Sequence, residues 1–186
     1  MKYKCAFSGS GGQGAGMIAK LICLACIKDE KQVVMTQTYG IEQRGGDSTG
    51  YVVLSDEVIG SPIVESDADI GVALSESVYQ NAVEGMKPGG KLFINSSLIE
   101  TQSEGHGVKQ IAIPASELAQ EIGDIRVANI ILLGAIIGKT KMLKPASIIS
   151  AIEEILGKKK PALLEINIAA LNKGLEIADQ EAVYEQ

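Results

Sequence analysis

The sequence predicts an α/β fold of three layers, α/β/α, in which helices cover both faces of a largely parallel sheet and the C-terminal third is helical. Three observations lead to this prediction. Short aliphatic runs of strand length alternate with longer stretches of helical periodicity. A glycine-rich loop joins the first aliphatic run to the first helical stretch. Only 4% of the 186 residues are aromatic, so the core must be built from the aliphatic side chains typical of buried parallel strands.

The predicted strands lie in the N-terminal two thirds of the chain. An apolar run at 3–8 is followed by glycines and then by residues 15–28, whose apolar positions have helical spacing, which makes a strand–loop–helix unit. A polar, glycine-rich segment at 39–50 separates the next two strands, and a turn is expected at 87–90. The remaining strands are predicted at 32–36, 49–55, 69–74, 91–95 and 108–113, with a helix at 75–85.

The C-terminal third is predicted to be almost entirely helical. Pro161 suits the first position of the last helix, and apolar residues recur along one face of that helix. No internal repeat or linker divides the sequence, so a single domain over 1–186 is expected. The four helices are predicted at 116–122, 127–138, 146–156 and 161–178.

Composition and charge argue against several classes of protein. The chain has 17 basic and 23 acidic residues, a formal charge of −6, and the lysine run at 158–160 is expected to lie in a solvated loop, so nucleic-acid binding is not expected. The most apolar stretch, 127–138, is shorter than the roughly 20 residues that span a bilayer. The N-terminal residues lack the apolar core of a signal peptide, and the three cysteines are expected to be reduced. A cytoplasmic protein is therefore expected.

The glycine loop satisfies the spacing G-x-G-x-x-G with Gly9, Gly11 and Gly14, directly after a strand and before a helix. In this context glycines permit a tight turn and let backbone N–H groups approach a phosphate, as in Rossmann-like dinucleotide sites. Two expected partners are missing, because no acidic residue ends the second strand and no lysine lies in the loop. The loop is therefore interpreted as a packing or interface element of a Rossmann-like fold, with nucleotide binding as the alternative.

Other candidate chemistry is weaker. Cys23 and Cys26 match C-x-x-C, but they lie within an apolar helical stretch, away from its N-terminus, so core packing is favoured over redox activity. His106 is the only histidine and lies between glycines, which favours a surface residue over a metal or catalytic role. The sequence predicts no catalytic residue and no metal site.

The polar segment 39–48 combines an aromatic residue, opposite charges and three glycines. Glu42 and Arg44 are expected to pair locally, or Arg44 to present its guanidinium to a carboxylate or phosphate. An ordinary solvent-exposed connection is the alternative. If the first two strands run in the same direction, this segment and the glycine loop lie at one edge of the sheet, where α/β folds place ligands and partners.

These two segments resemble those of the gamma subunits of the 2-oxoacid:ferredoxin oxidoreductases, most of all the 2-oxoglutarate type. The resemblance rests on residues 9–14 and 36–46, in that order, and extends over essentially the whole chain. Within the second motif, Ile41, Gln43 and Asp47 depart mildly from the family pattern. Further matching positions are 55, 61–62, 68–69, 74–75, 87–90, 129, 133–134 and 172.

The resemblance implies a complex that decarboxylates a 2-oxoacid, transfers its acyl group to coenzyme A and passes two electrons to ferredoxin or flavodoxin. It places thiamine diphosphate, Mg²⁺ and iron–sulfur clusters on other chains, namely thiamine-binding alpha and beta subunits and a ferredoxin-like delta subunit or ferredoxin. This chain would shape the shared site at the subunit interface, and a homodimer is expected when it is isolated. A free-standing nucleotide-binding protein is the alternative. The residues implied to lie at or near the interface are Gly9, Ser10, Gly11, Gly12, Gln13, Gly14, Tyr39, Gly40, Glu42, Arg44, Gly45 and Gly46.

Overall fold

The computed structural model describes residues 1–40, 46–100, 107–157 and 161–179. These described residues form six strands and six helices, with a short 3₁₀ turn at Ile125–Val127. The strands are β1 (Lys2–Gly9), β2 (Gln32–Tyr39), β3 (Ser48–Ser55), β4 (Ala68–Ala73), β5 (Met86–Asn95) and β6 (Lys109–Ile113). The helices are α1 (Ala15–Lys28), α2 (Glu76–Glu84), α3 (Ala115–Ile122), α4 (Ala128–Thr140), α5 (Pro145–Leu156) and α6 (Pro161–Asp179).

The six strands form one sheet in the order β2-β3-β1-β4-β5-β6. Strands β1, β4, β5 and β6 pair in parallel, whereas β3 is antiparallel to both β1 and β2. Strand β2 consequently runs in the same direction as β1, and β3 alone among the described strands is reversed. This mostly parallel sheet confirms the predicted α/β class.

The helices cover the two faces of the sheet unequally. Helix α2 packs over β1, β4 and β5 and encloses a small core that includes Leu92 and Ile94. On the opposite face, α1 packs over β1, β2 and β3, and the four C-terminal helices complete a larger core around Phe7 and Phe93. Aliphatic side chains dominate both cores, as the composition predicts.

Helix α4 is the central helix of the larger core. Ten consecutive residues, from Asn129 to Gly138, are buried, because α4 packs against α1, α3, α6 and the sheet. Its closest neighbour is α6, and the two backbones approach at Gly134 and Gly174, where a Cβ atom would collide with main-chain atoms. Surrounding helices therefore explain the apolar run at 127–138. No helix in the described residues has both the length and the apolar character required to cross a membrane.

Two boundaries differ from the sequence prediction by three residues or more, at β5 and β2. The predicted turn at 87–90 belongs to β5, whose pairing with β4 changes register between Ala68 and Ile70. Gly89 has a φ of +78° and its N–H donates to the carbonyl of Gly107 at 2.8 Å, so Pro88 and the glycines form an irregular strand instead of a free turn. Strand β2 extends three residues further than predicted, to Tyr39, because β3 pairs with it along its full length.

Candidate functional site at the carboxyl edge of the sheet

The glycine loop lies at the point where the order of the strands changes direction. After β1 the chain continues to β2 and β3 on one side of that strand and then crosses to β4 on the other side. The carboxyl ends of β1 and β4 are joined by a hydrogen bond from the N–H of Leu74 to the carbonyl of Ser8, at 3.0 Å. Crevices at such switch points are the usual ligand and partner sites of α/β folds.

The backbone shape of the loop requires glycine at several positions. Gly12 and Gly14 have φ angles of +87° and +86°, in the left-handed region that other residues avoid. A Cβ atom at Gly9 would lie 2.9 Å from a methyl carbon of Leu74. The turn is closed by Gln13, whose N–H donates to the Ser10 carbonyl at 3.1 Å and whose Oε1 accepts from the Ser10 N–H at 2.8 Å.

The second predicted segment lies beside this loop. Residues Gly9, Ser48 and Tyr39 are in register across three neighbouring strands. The N–H of Gly40 donates to the carbonyl of Asp47 at 2.7 Å, which closes the base of the β2–β3 connection. The expected meeting of the two segments at one edge is therefore observed. Glu42, Arg44 and Gly45, like His106 and the lysines at 158–160, lie outside the described residues.

A hydroxyl–carboxylate network connects the glycine loop to two other elements. The Ser10 hydroxyl donates to Oδ1 of Asp47 at 2.8 Å and lies 2.8 Å from the hydroxyl of Ser77 and 3.1 Å from that of Ser75. Ser77 also donates to Oδ1 of Asp47, at 3.0 Å. The network fixes the loop relative to the start of β3 and the start of α2. Sequence analysis did not name Asp47, Ser75 or Ser77 as site residues, since nothing in the local sequence indicates that they lie beside Ser10.

Asn129 holds the glycine loop from the opposite side. Its Nδ2 donates to the carbonyl of Gly14 at 3.3 Å, and the residue is only 6% exposed. Its Oδ1 is buried without a hydrogen-bond partner among the described residues. A buried acceptor left unpaired in this way costs roughly 1–3 kcal/mol. Asn129 is one of the positions that match the family, but the sequence contains no signal that it contacts residue 14.

In the described part of the chain, three cavities open beside the loop, and one of them, of about 320 Å³, extends from the loop to α5 and α6. Two more have exposed apolar residues in their walls. One, of about 410 Å³, lies between the glycine loop and the β2–β3 connection and is lined in part by Gly14, Tyr39 and Asp47. The other, of about 270 Å³, lies between the loop and α4 and is lined in part by Leu98 and Ile125. Tyr39 is 73% exposed, and Leu98 and Ile125 are half exposed. Exposed apolar side chains around a crevice are typical of a surface that binds a partner.

The described residues do not form a metal centre or an activated nucleophile. They contain no group of three or more His, Cys, Asp or Glu side chains that could hold a metal ion. Burial raises the pKa of the Cys26 thiol to about 12, and burial also raises the pKa of the thiols of Cys5 and Cys23. Thiols kept protonated in apolar surroundings do not fit an iron–sulfur cluster or a redox pair. Packing in the core accounts for Cys26, as predicted, whereas Cys23 is only partly buried.

Comparison with known proteins finds relatives that span nearly the whole chain. A 2-oxoglutarate synthase subunit, KorC, from Methanocaldococcus jannaschii is 37% identical over 185 residues, which cover 97% of this chain and 96% of the relative. The crystal structure of a keto/oxoacid ferredoxin oxidoreductase gamma subunit from Geobacter sulfurreducens superimposes with a TM-score of 0.84 and 28% identity, over 100% of this chain and 99% of that one.

A second similar structure contains the same fold within a longer chain. It is a 2-oxoglutarate:ferredoxin oxidoreductase from Magnetococcus marinus, solved with 2-oxoglutarate, coenzyme A and succinyl-CoA bound. The TM-score is 0.87 at 23% identity, and the match covers 97% of this chain but 32% of the other. The family model described as pyruvate ferredoxin/flavodoxin oxidoreductase matches residues 4–177. The resemblance noted from the sequence is thereby confirmed, and the chain belongs to the pyruvate ferredoxin/flavodoxin oxidoreductase family.

Proposed function

We propose that this chain is the gamma subunit of a heteromeric 2-oxoacid:ferredoxin oxidoreductase of the 2-oxoglutarate type. The complex oxidatively decarboxylates a 2-oxoacid, so that the acyl group joins the thiol of coenzyme A, carbon dioxide leaves and two electrons pass to ferredoxin. The gamma subunit shapes and assembles the site and carries no catalytic residue itself. The sequence similarity to a 2-oxoglutarate synthase subunit over 97% of the chain supports this assignment.

The observation that carries the proposed role is the structure of the carboxyl edge. The glycine loop is held on one side by Asp47 and on the other by Asn129, at distances of 2.8 Å from Ser10 and 3.3 Å from the Gly14 carbonyl. Side chains around it are apolar and exposed, as at Tyr39. A fixed, side-chain-poor loop surrounded by exposed apolar groups suits close contact with another protein surface.

The cofactors of the complex are assigned to the partner chains. Thiamine diphosphate with Mg²⁺ is held by the alpha and beta subunits, iron–sulfur clusters by a ferredoxin-like delta subunit or ferredoxin, and coenzyme A enters as a co-substrate. The assembly is placed in the cytoplasm, where the three free thiols remain reduced.

Co-expression tests the proposal directly. The chain, with an affinity tag, is produced together with the thiamine-binding and ferredoxin-like proteins encoded beside it, and the purified material is analysed by mass spectrometry. We expect a stoichiometric complex that reduces ferredoxin or a viologen dye when 2-oxoglutarate and coenzyme A are supplied. Pyruvate and 2-oxoisovalerate, at the same concentrations, test the choice of substrate. Purification of the chain without such partners would refute the proposal.

Arg44 provides a sharper test of the interface. We expect Arg44→Ala to weaken assembly or to lower 2-oxoacid-dependent electron transfer by about tenfold, as loss of a charged interface anchor does. Lys20→Ala, which removes an exposed positive charge from the first turns of α1, is the control and should leave both unchanged. Unaltered assembly and electron transfer in Arg44→Ala would exclude this residue from the site.

The isolated chain is expected to form a homodimer through the same apolar edge. Without its partners, Tyr39 and the half-exposed Ile125 remain in contact with water. Self-association would bury them. Light scattering on the purified chain should show a dimer that disappears when Tyr39 is replaced by serine, and a monomer for the wild-type chain would contradict this expectation.

A further inference from the structure

Strand β2 (Gln32–Tyr39) forms one edge of the described sheet and pairs on its inner side with β3. We infer that its outer side pairs with β2 of a second copy of this chain, antiparallel and about a two-fold axis at Thr36. Because β2 ends at Tyr39, this pairing adds a contact to the apolar edge through which the isolated chain is expected to dimerise. The inference concerns the isolated chain and does not rest on the proposed function.

The sequence of β2 lacks the features that keep edge strands from pairing with other chains. Natural edge strands are short, or they carry a lysine, a proline or a bulge. Strand β2 is eight residues long, contains no proline and no charged residue, and pairs with β3 residue for residue without a bulge. Strand β6, at the opposite edge of the described sheet, is five residues long, begins with Lys109 and is followed by Pro114. Of these two edges, only β6 has the ordinary protection.

The hydrogen bonds to β3 determine which backbone groups of β2 point outward. The N–H of Gly40 donates to the carbonyl of Asp47, and these two residues continue the register in which Tyr39 faces Ser48. Bonded and non-bonded pairs alternate along an antiparallel ladder, so the even-numbered residues of β2 bond to β3. The N–H and C=O groups of the odd-numbered residues therefore point away from β3. In the described part of the chain, no hydrogen-bond partner is found for these groups of Val33, Met35, Gln37 and Tyr39.

The outward backbone groups of β2 are complementary to those of an identical strand. When two copies pair antiparallel about Thr36, Val33 of one copy faces Tyr39 of the other, and Met35 faces Gln37. Residues that face each other in this way exchange both of their hydrogen bonds, so every outward N–H meets an outward carbonyl. A shift of two residues in either direction would leave outward groups unpaired at the ends of both strands. The register centred on Thr36 is therefore the one that satisfies the whole edge.

A second copy also suits this edge electrostatically. Two identical strands bring identical charges together, and β2 contains none. In the register centred on Thr36, the two Thr36 side chains face each other and Val34 faces Thr38. Cross-strand pairs of β-branched side chains stabilise sheets. Thr36 and Thr38 are exposed in the single chain, so their side chains are accessible to the second strand.

Charges placed at the two-fold axis test the pairing. Thr36→Lys and Thr36→Glu would each bring two like charges face to face, so each variant should raise the dissociation constant of the dimer by about tenfold or more, measured by light scattering on dilution. An equimolar mixture of the two variants should restore the dimer, which also shows that both are folded. Val58→Lys, at a side chain that is 88% exposed outside β2, is the control and should dimerise like wild type. Wild-type association of both Thr36 variants, or a mixture that stays monomeric, would overturn the inference.

Disulfide formation tests the register. Thr36→Cys would place two cysteines in a non-hydrogen-bonded pair with Cα atoms about 4.5 Å apart, which is within the range that a disulfide spans. Thr38→Cys is the matched control, since this exposed position would face Val34 and lie about 14 Å from its equivalent in the other copy. Mild oxidation should crosslink Thr36→Cys into a dimer but leave Thr38→Cys and the wild-type chain as monomers on a non-reducing gel. Absence of the Thr36→Cys dimer, or equal crosslinking of both variants, would refute this register.

The failure of this inference is distinguishable from that of the proposed function. If the isolated wild-type chain is a monomer, self-pairing through β2 is wrong, whether or not the chain assembles with thiamine-binding subunits. If Thr36→Cys crosslinks to a partner chain in the co-expressed complex and never to itself, β2 binds a different protein and self-pairing is again wrong. If the chain forms the Thr36-centred dimer but no partner subunits purify with it, the proposed function alone fails.

Discussion

Replacing Gly134 by alanine tests the packing of α4 against α6. A Cβ atom at this position would lie 2.2 Å from the carbonyl oxygen of Leu171 and 3.0 Å from the Cα of Gly174. Ordinary van der Waals contact begins at 3.4 Å, so the two helices would have to separate by about 1 Å. The added Cβ atom would collide with main-chain atoms of α6, so no change of side-chain rotamer can relieve the collision.

The magnitude follows from two opposing effects. Overpacking a close-packed core costs typically 1–3 kcal/mol, and a collision with a main-chain carbonyl lies at the upper end of that range. Alanine stabilises the interior of a helix by up to about 1 kcal/mol relative to glycine, which offsets part of that cost. We therefore expect Gly134→Ala to lower the free energy of unfolding by about 2 kcal/mol, which for a chain of this length corresponds to a fall in Tm of roughly 4–8 °C.

Gly16→Ala is the matched control, since Gly16 also lies in a helix. Its Cβ would meet Nε2 of Gln37 at 2.6 Å, the far end of a flexible side chain that can move away. The free energy of unfolding of this variant should stay within about 1 kcal/mol of wild type. Urea and thermal unfolding, followed by circular dichroism on the isolated chains, measure both variants. Equal stability of Gly134→Ala and wild type would refute the packing argument.

Three further predictions concern stability and thiol reactivity. Hydrogen bonds from Arg126 lower the pKa of Asp124 from its ordinary value of 3.8 to about 2, so its contribution to stability is present above pH 4 and is lost as the pH falls towards 2. Asp124→Asn should therefore flatten the dependence of Tm on pH between 4 and 2, and an unchanged dependence would contradict this assignment. Because burial raises the pKa of Cys26 to about 12, the native chain should react slowly with Ellman's reagent at pH 8, whereas the unfolded chain should titrate three thiols at once. Asp29 accepts from the Ser147 hydroxyl at 2.6 Å and joins α1 to α5, so Asp29→Ala should lower the free energy of unfolding by about 1–3 kcal/mol, a loss that calorimetry would detect.

Sequence analysis was most accurate for the secondary-structure elements that depend on local residue patterns. The strand–glycine loop–helix unit is confirmed, with α1 at the predicted residues Ala15–Lys28, because the glycine spacing and the apolar period are both local signals. The C-terminal helices begin and end within a few residues of their predicted bounds for the same reason. The turn predicted at 87–90 is wrong, since pairing with β4 and the Gly107 carbonyl draws these residues into β5.

The candidate site was predicted only in part. The meeting of the glycine loop with the β2–β3 connection follows from strand direction, and the register of Gly9, Ser48 and Tyr39 shows it. Contacts across long sequence separations could not be predicted. Asn129 is 115 residues from Gly14, and Ser77 is 67 residues from Ser10. The residues next to a single asparagine or serine in the sequence do not indicate its partner. These contacts are therefore found only in the folded structure.

The crossing of α4 and α6 and the carboxyl edge of the sheet differ in how completely their groups are packed and hydrogen-bonded. At the crossing of α4 and α6, glycine positions allow close packing, and Leu171 is completely buried. At the carboxyl edge, by contrast, Tyr39 and Ile125 expose apolar surface and Asn129 holds an unpaired acceptor. Of these features, the buried unpaired acceptor lowers the stability of the isolated chain, whereas the apolar side chains only leave surface available for a partner. Binding of a partner at this edge would cover Tyr39 and Ile125, so assembly should raise the unfolding temperature of this chain, and substitutions at these two residues should reduce that rise while substitutions at Gly134 should not.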